Sequence, residues 1–336
     1  MLIYILRRLA LMVPTFIGMT LMLFLLVRFA PGLTGGSAFG PDAARANRED
    51  RLAAEKERLK ALNMLDRDGN PIPVYRQYAQ WLLCSLAGDF GTSTQYHENV
   101  GTLIAERMPV TLTMNAIEAC IVYLIAIPAG VLAAVRRGKT FDSLWGTFTI
   151  VLYSLPTIWV GVLAIGIFAN RQVLDWFPAA GLHSADITHM NFTKYAMDYL
   201  WHLVMPIGVM SLGGFAYLTK LMRASMLDNL SQDYARTARA KGVSNFRVVM
   251  KHVFRNSLLP MITIFAGIIP GLLGGSIIIE RIFSIPGMGQ LGFHAALARD
   301  LPVLQALTFI GAAISLLSLL MADLAYAIAD PRVSYD

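Results

Sequence analysis

Two things are scarce in this chain. Cysteine occurs twice in 336 residues, as Cys84 in a polar stretch and Cys120 in an apolar one, so no disulfide framework is expected. Charged side chains make up only 15%. Catalytic patterns are missing as well. There is no H-x-x-x-H and no G-x-S-x-G, and His183, His189 and His202 share a loop region without metal-ligand spacing. Neither an enzyme nor a resident metal is expected, and no internal repeat is found.

What the chain does have is apolar residues, 56% of the total, gathered into long blocks rather than scattered with a helix or strand period. Crossing a hydrocarbon layer takes about 20 largely apolar helical residues, because every backbone amide must be satisfied within the segment. Six blocks qualify, at residues 9–30, 110–135, 145–169, 202–222, 258–279 and 303–327. These spacings predict an all-α integral membrane protein with six transmembrane helices. The first block follows Arg7 and Arg8 but is too long for a signal-peptide core, and "FAPGLTGG" lacks a cleavage site, so it is expected to stay as a span.

Lysine and arginine flank the blocks unevenly. With the N-terminus in the cytoplasm, Arg7, Arg8, Arg136, Arg137, Lys139, the bases at 223–255 and Arg332 all lie inside, and the outer loops are poor in base. Both termini are therefore expected in the cytoplasm. Topology accounts for the net charge of +6 without any nucleic-acid partner.

The chain divides into 1–30 (flank and first span), a polar outer segment at 31–108, and a five-span remainder at 109–336 with a cytoplasmic loop at about 223–257. In the outer segment, "REDRLAAEKERLKALNML" predicts a solvated helix and "DRDGNPIP" a turn. "VYRQYAQWLLCSLAGDFG" predicts a short amphipathic helix whose Tyr78, Trp81, Leu82 and Leu86 face the membrane surface or a partner. The outer loop at 170–201 carries an N-F-T sequon at Asn191, a tripeptide too common to weigh. The last outer loop, "RIFSIPGMGQLGFHAALARDLP", is punctuated by Pro286, Gly287 and Gly289 yet nearly as apolar as the spans. It predicts a re-entrant segment packed against protein.

"AAVRRGKT" ends like a phosphate-binding loop but follows a membrane helix and has two arginines where backbone amides would wrap phosphate, so it reads as a cytoplasmic flank. Glu118 is the clearest ionisable residue inside a span. With Thr111 and Asn115 it forms a polar stripe that either lines a water-filled path or makes a structural pair with Arg28 or Arg281. Arg28, Glu280 and Asp323 lie within about a turn of an interface, where snorkelling suffices. Pro128 with Gly130, Pro156, Pro206, and Pro270 with Gly274 and Gly275 serve either close packing or hinges, the latter with a pathway near Ser154, Thr157 and Ser276.

"DYARTARAKGVSNFRVVMKHVFRN", 233–256, breaks at Gly242. Its second half places Phe246, Val249, Met250 and Val253 on one helical face and Arg247, Lys251 and Arg255 on another. A DNA-reading helix pair would have to be free to enter a groove, but this one runs directly into the fifth span. A docking surface for a cytoplasmic protein remains.

"MLIYILRRLALMVPT", "LAGDFGTST", "VGTLIAERMPVTLTM", "IPAGVLAAVRRGKTFDSL", "YSLPTIWVGVL", "RTARAKG", "IERIFSIPGMGQL" and "AYAIADPRVSYD" together resemble, in order and over nearly the whole chain, the first of the two permease types of dipeptide and oligopeptide ABC importers. The resemblance implies a type I importer permease fold and a translocating subunit working by alternating access. It implies a second homologous permease, two ATP-binding subunits that hold ATP and Mg, and a periplasmic or lipid-anchored solute-binding protein, all at the bacterial inner membrane. It also implies that 233–242 is the coupling loop, with Asp233, Tyr234, Arg236, Thr237, Ala238, Ala240, Lys241 and Gly242 meeting the ATPase. Here Gly242 takes the motif's glycine, Thr237 and Ala238 its alanines, Arg236 its glutamate and Arg255 its later proline. Peptides are the substrate most often implied, then nickel chelates or sugars. A proton-coupled transporter using Glu118 and a membrane-anchored receptor are the alternatives. Candidate path residues are Asn115, Glu118, Ser154, Thr157 and Ser276. Glu280, Pro286, Gly287 and Gly289 mark the outer re-entrant loop.

Overall fold

The computed structural model describes residues 2–29, 56, 60, 64–66, 68–185 and 190–329. In chain order these form α1 (Leu2–Phe29), α2 (Val74–Leu86), α3 (Val100–Val135), α4 (Thr140–Ser154), α5 (Thr157–Phe168), α6 (Phe192–Leu230) and α7 (Asp233–Ala240). A helical run at 245–257 follows, π-helical over Val248–Val253, and then α8 (Leu259–Gly274), α9 (Ile277–Ile282), α10 (Met288–Ala298) and α11 (Leu301–Ala329). No strand occurs among the described residues, only isolated bridges such as Thr92 with Asn99. The solvated helix expected before residue 64 and the segment "DPRVSYD" lie almost wholly outside the described residues.

Four of the six expected spans are single helices long and apolar enough to cross a membrane: Leu6–Phe29, Val100–Val135, Phe192–Leu230 and Leu301–Met321. The block at 145–169 is not a straight span. α4 and α5 meet at 95° across Leu155 and Pro156. Proline has no amide to donate and pushes the residue before it out of the helical region, and Leu155 is extended at φ −79°, ψ 125°. The block at 258–279 also departs from expectation. α8 has 16 residues, short of the roughly 20 a perpendicular crossing needs, and it stops at Gly275, whose φ of +65° and ψ of 171° suit only glycine.

The chain forms two compact units, one of residues 1–107 with 291–316 and one of 108–290 with 317–336. In the first, α2 lies against α1. Tyr78 Oη is 2.9 Å from Thr20 Oγ1 and donates to the Ile17 carbonyl at 3.1 Å. Phe24 packs on Tyr78 and Trp81 at centroid distances of 5.6 and 5.5 Å, and Phe309 meets Trp81, Phe16 and Phe90 edge-on. Of the four side chains expected on an outer face, Tyr78 and Trp81 are thus turned onto α1 and α11, while Leu86 is exposed.

The turn in "DRDGNPIP" forms as expected. Asp66 Oδ1 accepts from the Asp68 and Asn70 amides, and the Asn70 amide holds the Asp66 carboxyl below the usual carboxylate range. Asp300 is fully buried. It accepts from Ser93 Oγ and from the Thr94 and Gln95 amides, fixing the loop that leads into α3.

In the second unit α6 is the axis, packed by α4 and α5. Asn191 caps its start by accepting from the Phe192 amide, which gives the N-F-T tripeptide a structural use. Leu218, Met222 and Met226 of α6 join Ala126 and Ala134 of α3 in one buried cluster. Gly130 allows this approach, since a Cβ there would lie 2.7 Å from Met222 Cβ and 2.8 Å from the Thr219 carbonyl oxygen. Close to it, Arg223 grips Asp142 with two parallel bonds, Nε to Oδ1 at 2.6 Å and Nη2 to Oδ2 at 2.8 Å. The Gly138 amide also donates to Asp142, so the glycine of "RRGKT" spends its amide on a carboxylate.

Gly130→Ala is therefore expected to destabilise the chain by about 1–3 kcal/mol, read as a lowered thermal midpoint of the detergent-purified protein. Gly213→Ala on α6, where nothing lies within 4 Å of the added carbon, is expected to leave the midpoint unchanged or slightly raised.

Candidate functional site

α7 continues from α6 through Ser231 and Gln232. It has one buried side chain, Ala235, and Ala238 packs beside the same core. Asp233, Tyr234, Arg236, Thr237, Ala240 and Lys241 are all exposed. Arg236 and Asp233 pair at 3.6 Å with both side chains largely in solvent, a contact worth little by itself. Gly242 ends the helix at φ +76°. Its amide donates to Arg239 O and the Val243 amide to Ala238 O, the left-handed close that glycine adopts without strain. A Cβ at Gly242 would meet nothing within 4 Å, so the demand for glycine there is conformational alone.

Two ties hold this hairpin to α6. Tyr234 Oη donates to Asn229 Oδ1 at 2.7 Å. Deeper in, Ser225 Oγ donates to Ser257 O at 3.0 Å, and Ser257 Oγ lies 3.2 Å from Ser225 O, both serines being buried. The apolar stripe expected on 246–253 is split. Val248 and Val253 are fully buried, whereas Phe246 is 74% exposed and Met250 42%. The cause is the π turn at Val248–Val253, whose wider pitch brings residues five apart onto one side and advances the register by one residue. Arg247, Lys251 and Arg255 are exposed as expected.

Glu280 departs furthest from expectation. Rather than snorkelling to an interface, it is fully buried. Its Oε2 accepts from the Gln290 amide at 2.6 Å and its Oε1 from Thr111 Oγ1 at 3.4 Å, while Thr111 Oγ1 accepts from the Met288 amide at 2.8 Å. Gly275, Gly287 and Gly289 wall the carboxylate so closely that a Cβ at Gly275 or Gly287 would overlap it, and one at Gly289 would lie 2.9 Å from the Ile277 amide. Pro286 is exposed at the loop's tip. Within the segment expected to pack against protein, Phe283, Ile285, Met288 and Gly289 are buried.

The polar stripe on α3 is divided between two uses. Thr111 serves Glu280, and Asn115 Nδ2 bonds to the carbonyls of Gly271 and Leu272 at 3.1 and 2.9 Å, serving the open end of α8. Glu118 instead lines a cavity of about 140 Å³ with Tyr123, Gly214 and Tyr217. Among the described residues, the buried Tyr123 hydroxyl has no hydrogen-bond partner. Ser154 and Thr157 are exposed on either side of the Leu155–Pro156 break, and Ser276 starts α9, where its carbonyl accepts from the Glu280 amide. None of these three lines the Glu118 cavity. Asp198, between His183 and His202 at 3.4 and 3.5 Å, forms no cluster of metal-ligand size among the described residues; His189 lies outside them.

Sequence reasoning missed the Asp142–Arg223 and Ser225–Ser257 links, which join positions 81 and 32 residues apart and leave no local pattern. The glycines following Glu280 did carry a signal, because a loop spaced P-G-x-G after an acid can wrap a carboxylate. Glu280→Ala would strand the Gln290 amide and the Thr111 hydroxyl at about 1–3 kcal/mol each. Limited proteolysis is expected to cut 283–293 faster in that variant, and Gln at 280 is expected to retain most of the protection.

Three comparisons bear on this geometry. Residues 126–335 match the family described as binding-protein-dependent transport system inner membrane component. Over 335 residues the chain is 38% identical to the oligopeptide transport system permease protein AppB of Bacillus subtilis, covering 99% of both chains. It is 34% identical to the peptidoglycan transport system permease protein YejB of Agrobacterium fabrum, covering 99% of this chain and 98% of that one. In fold it is similar to a chain of the MetNI methionine ABC transporter in inward-facing form, with a TM-score of 0.51 at 17% identity over 68% of this chain and 96% of the other. With a match this long and relatives this similar end to end, the chain belongs to the family of inner-membrane components of binding-protein-dependent transport systems.

Proposed function

We propose that the chain is a permease subunit of an ATP-driven importer for peptides or closely related solutes. It pairs with a second homologous permease, receives substrate outside from a solute-binding protein, and docks through 233–242 onto one of the assembly's two ATP-binding subunits in the cytoplasm. Both termini are cytoplasmic in this reading, which the distribution of lysine and arginine supports. The relatives named for oligopeptide and peptidoglycan transport support the peptide class.

One observation carries the coupling role. The exposed polar face of α7 is built on a buried alanine and tied to α6 at Tyr234–Asn229, and the run at 245–257 is tied to α6 at Ser225–Ser257. The run at 245–257 then passes directly into α8. A push on α7 reaches two membrane helices through hydrogen-bonded, packed elements, with no flexible linker between. Alternating access follows when that push repacks the helices around the path. ATP hydrolysis belongs to the partner subunits. The outer segment at 31–108, whose α2 packs on α1, either meets the binding protein or braces the permease pair.

Glu118 favours a second reading, a proton-coupled carrier, because it is an ionisable residue beside a cavity within a span. The two readings separate in proteoliposomes carrying the full set of subunits. Peptide uptake is expected to require ATP inside and a binding protein outside, and to persist in Glu118→Gln when the proton gradient is collapsed. Uptake driven by a proton gradient without ATP would overturn the importer. Gly242→Val is expected to lower ATP-driven uptake by about tenfold or more, while the subunit still inserts and the binding protein still binds peptide.

A further inference from the structure

A cavity of about 1110 Å³ opens at the junction of α6, α7, the run at 245–257 and the start of α8. Its lining has two chemical halves. Lys251, His252, Arg255 and Asp228 supply the charged or ionisable groups, and Leu258, Leu259 and Ile262 supply apolar ones. With His252 neutral the two cations outweigh the one acid, leaving a net charge of +1. Among the described residues, no ion pair engages Lys251 or Arg255. They stand four residues apart on one helical run, an arrangement of like charges that costs stability until an anion lies between them.

We propose that this cavity holds an anionic phospholipid of the cytoplasmic leaflet, its phosphodiester against Lys251 and Arg255 and the upper part of its acyl chains against Leu259 and Ile262. This rests on the cytoplasmic placement of 223–257 given above. Two features select a lipid over a soluble anion. The apolar half belongs to the beginning of a membrane block, where a water-soluble phosphate would leave it bare. The basic half sits where arginine and lysine meet the anionic leaflet surface, the setting in which basic pockets between membrane helices take lipid headgroups. Tyr234 and Asn229, the pair that ties α7 to α6, line the same cavity. A bound lipid therefore braces the joint through which the ATP-binding subunits act.

The test uses the complete transporter, purified and delipidated in detergent. Native mass spectrometry counts retained lipid, and the thermal midpoint is followed on adding phosphatidylglycerol, phosphatidylethanolamine or inorganic phosphate. Phosphatidylglycerol is expected to be retained and to raise the midpoint by a few degrees, with the other two doing neither. The double variant Lys251→Gln with Arg255→Gln is expected to lose both effects, and Arg247→Gln, outside the cavity, to keep them. If the double variant fails to assemble, Leu259→Trp fills the apolar half and is expected to block retention alone. Equal retention in these variants, an equal response to phosphatidylethanolamine, or the same shift from phosphate alone would each overturn the proposal. Failure of wild-type transporter to take up peptide with ATP would count against the permease reading and leaves the lipid measurement intact.

Discussion

In a hydrocarbon layer no water stands ready to satisfy a backbone group, so each interruption of a helix has to be answered by another part of the protein. Most of the second unit follows from that requirement. α3 and α6 run 36 and 39 residues without a break despite Pro109, Pro128 and Pro206. Where α8 stops at Gly275, the carbonyls of Gly271 and Leu272 would be left open, and Asn115 supplies both donors. The amides of the returning loop are likewise taken by Thr111 and by the buried Glu280. The polar groups on α3 and the acid after α8 are thus the two halves of one repair. Glycine at 275, 287 and 289 lets the backbone close tightly enough for the acid to reach.

Much of this was legible beforehand. Long apolar blocks marked the membrane helices, although the block at 145–169, expected as one span, turns at Pro156. Gly242 marked the corner of the hairpin at 233–257, where the chain turns at φ +76°. The misjudged features share a cause. Whether Glu280 snorkels or is buried depends on the path of a loop five to ten residues later. Whether 246–253 keeps α-helical register depends on what lies beneath Val248 and Val253. Helical periodicity assumes a constant pitch, and the π turn breaks that assumption without any residue type announcing it. The bond between Asp142 and Arg223 was invisible for a plainer reason, because single charges far apart in sequence say nothing of which will meet.

Within the hairpin at 233–257, side chains that hold the structure and side chains left exposed are separated cleanly. Ala235, Val248, Val253 and the two serines face inward. Asp233, Arg236, Thr237 and Lys241 make almost no demand on the fold. A surface organised this way can change its contact residues without loosening the joint behind it, which fits the departures at Arg236 and Arg255 from the motif that the hairpin resembles.

The grip of Arg223 on Asp142 has a mechanical side as well. A single hydrogen bond between the base of α4 and the C-terminal half of α6 would be a swivel, resisting separation while letting either helix spin. Two parallel bonds from a planar guanidinium to a planar carboxylate resist spinning too. The joint therefore carries torque. It stands at the foot of α4, whose other end turns through the sharp elbow at Pro156 into α5, so the pair braces the root of that bent arm against twist.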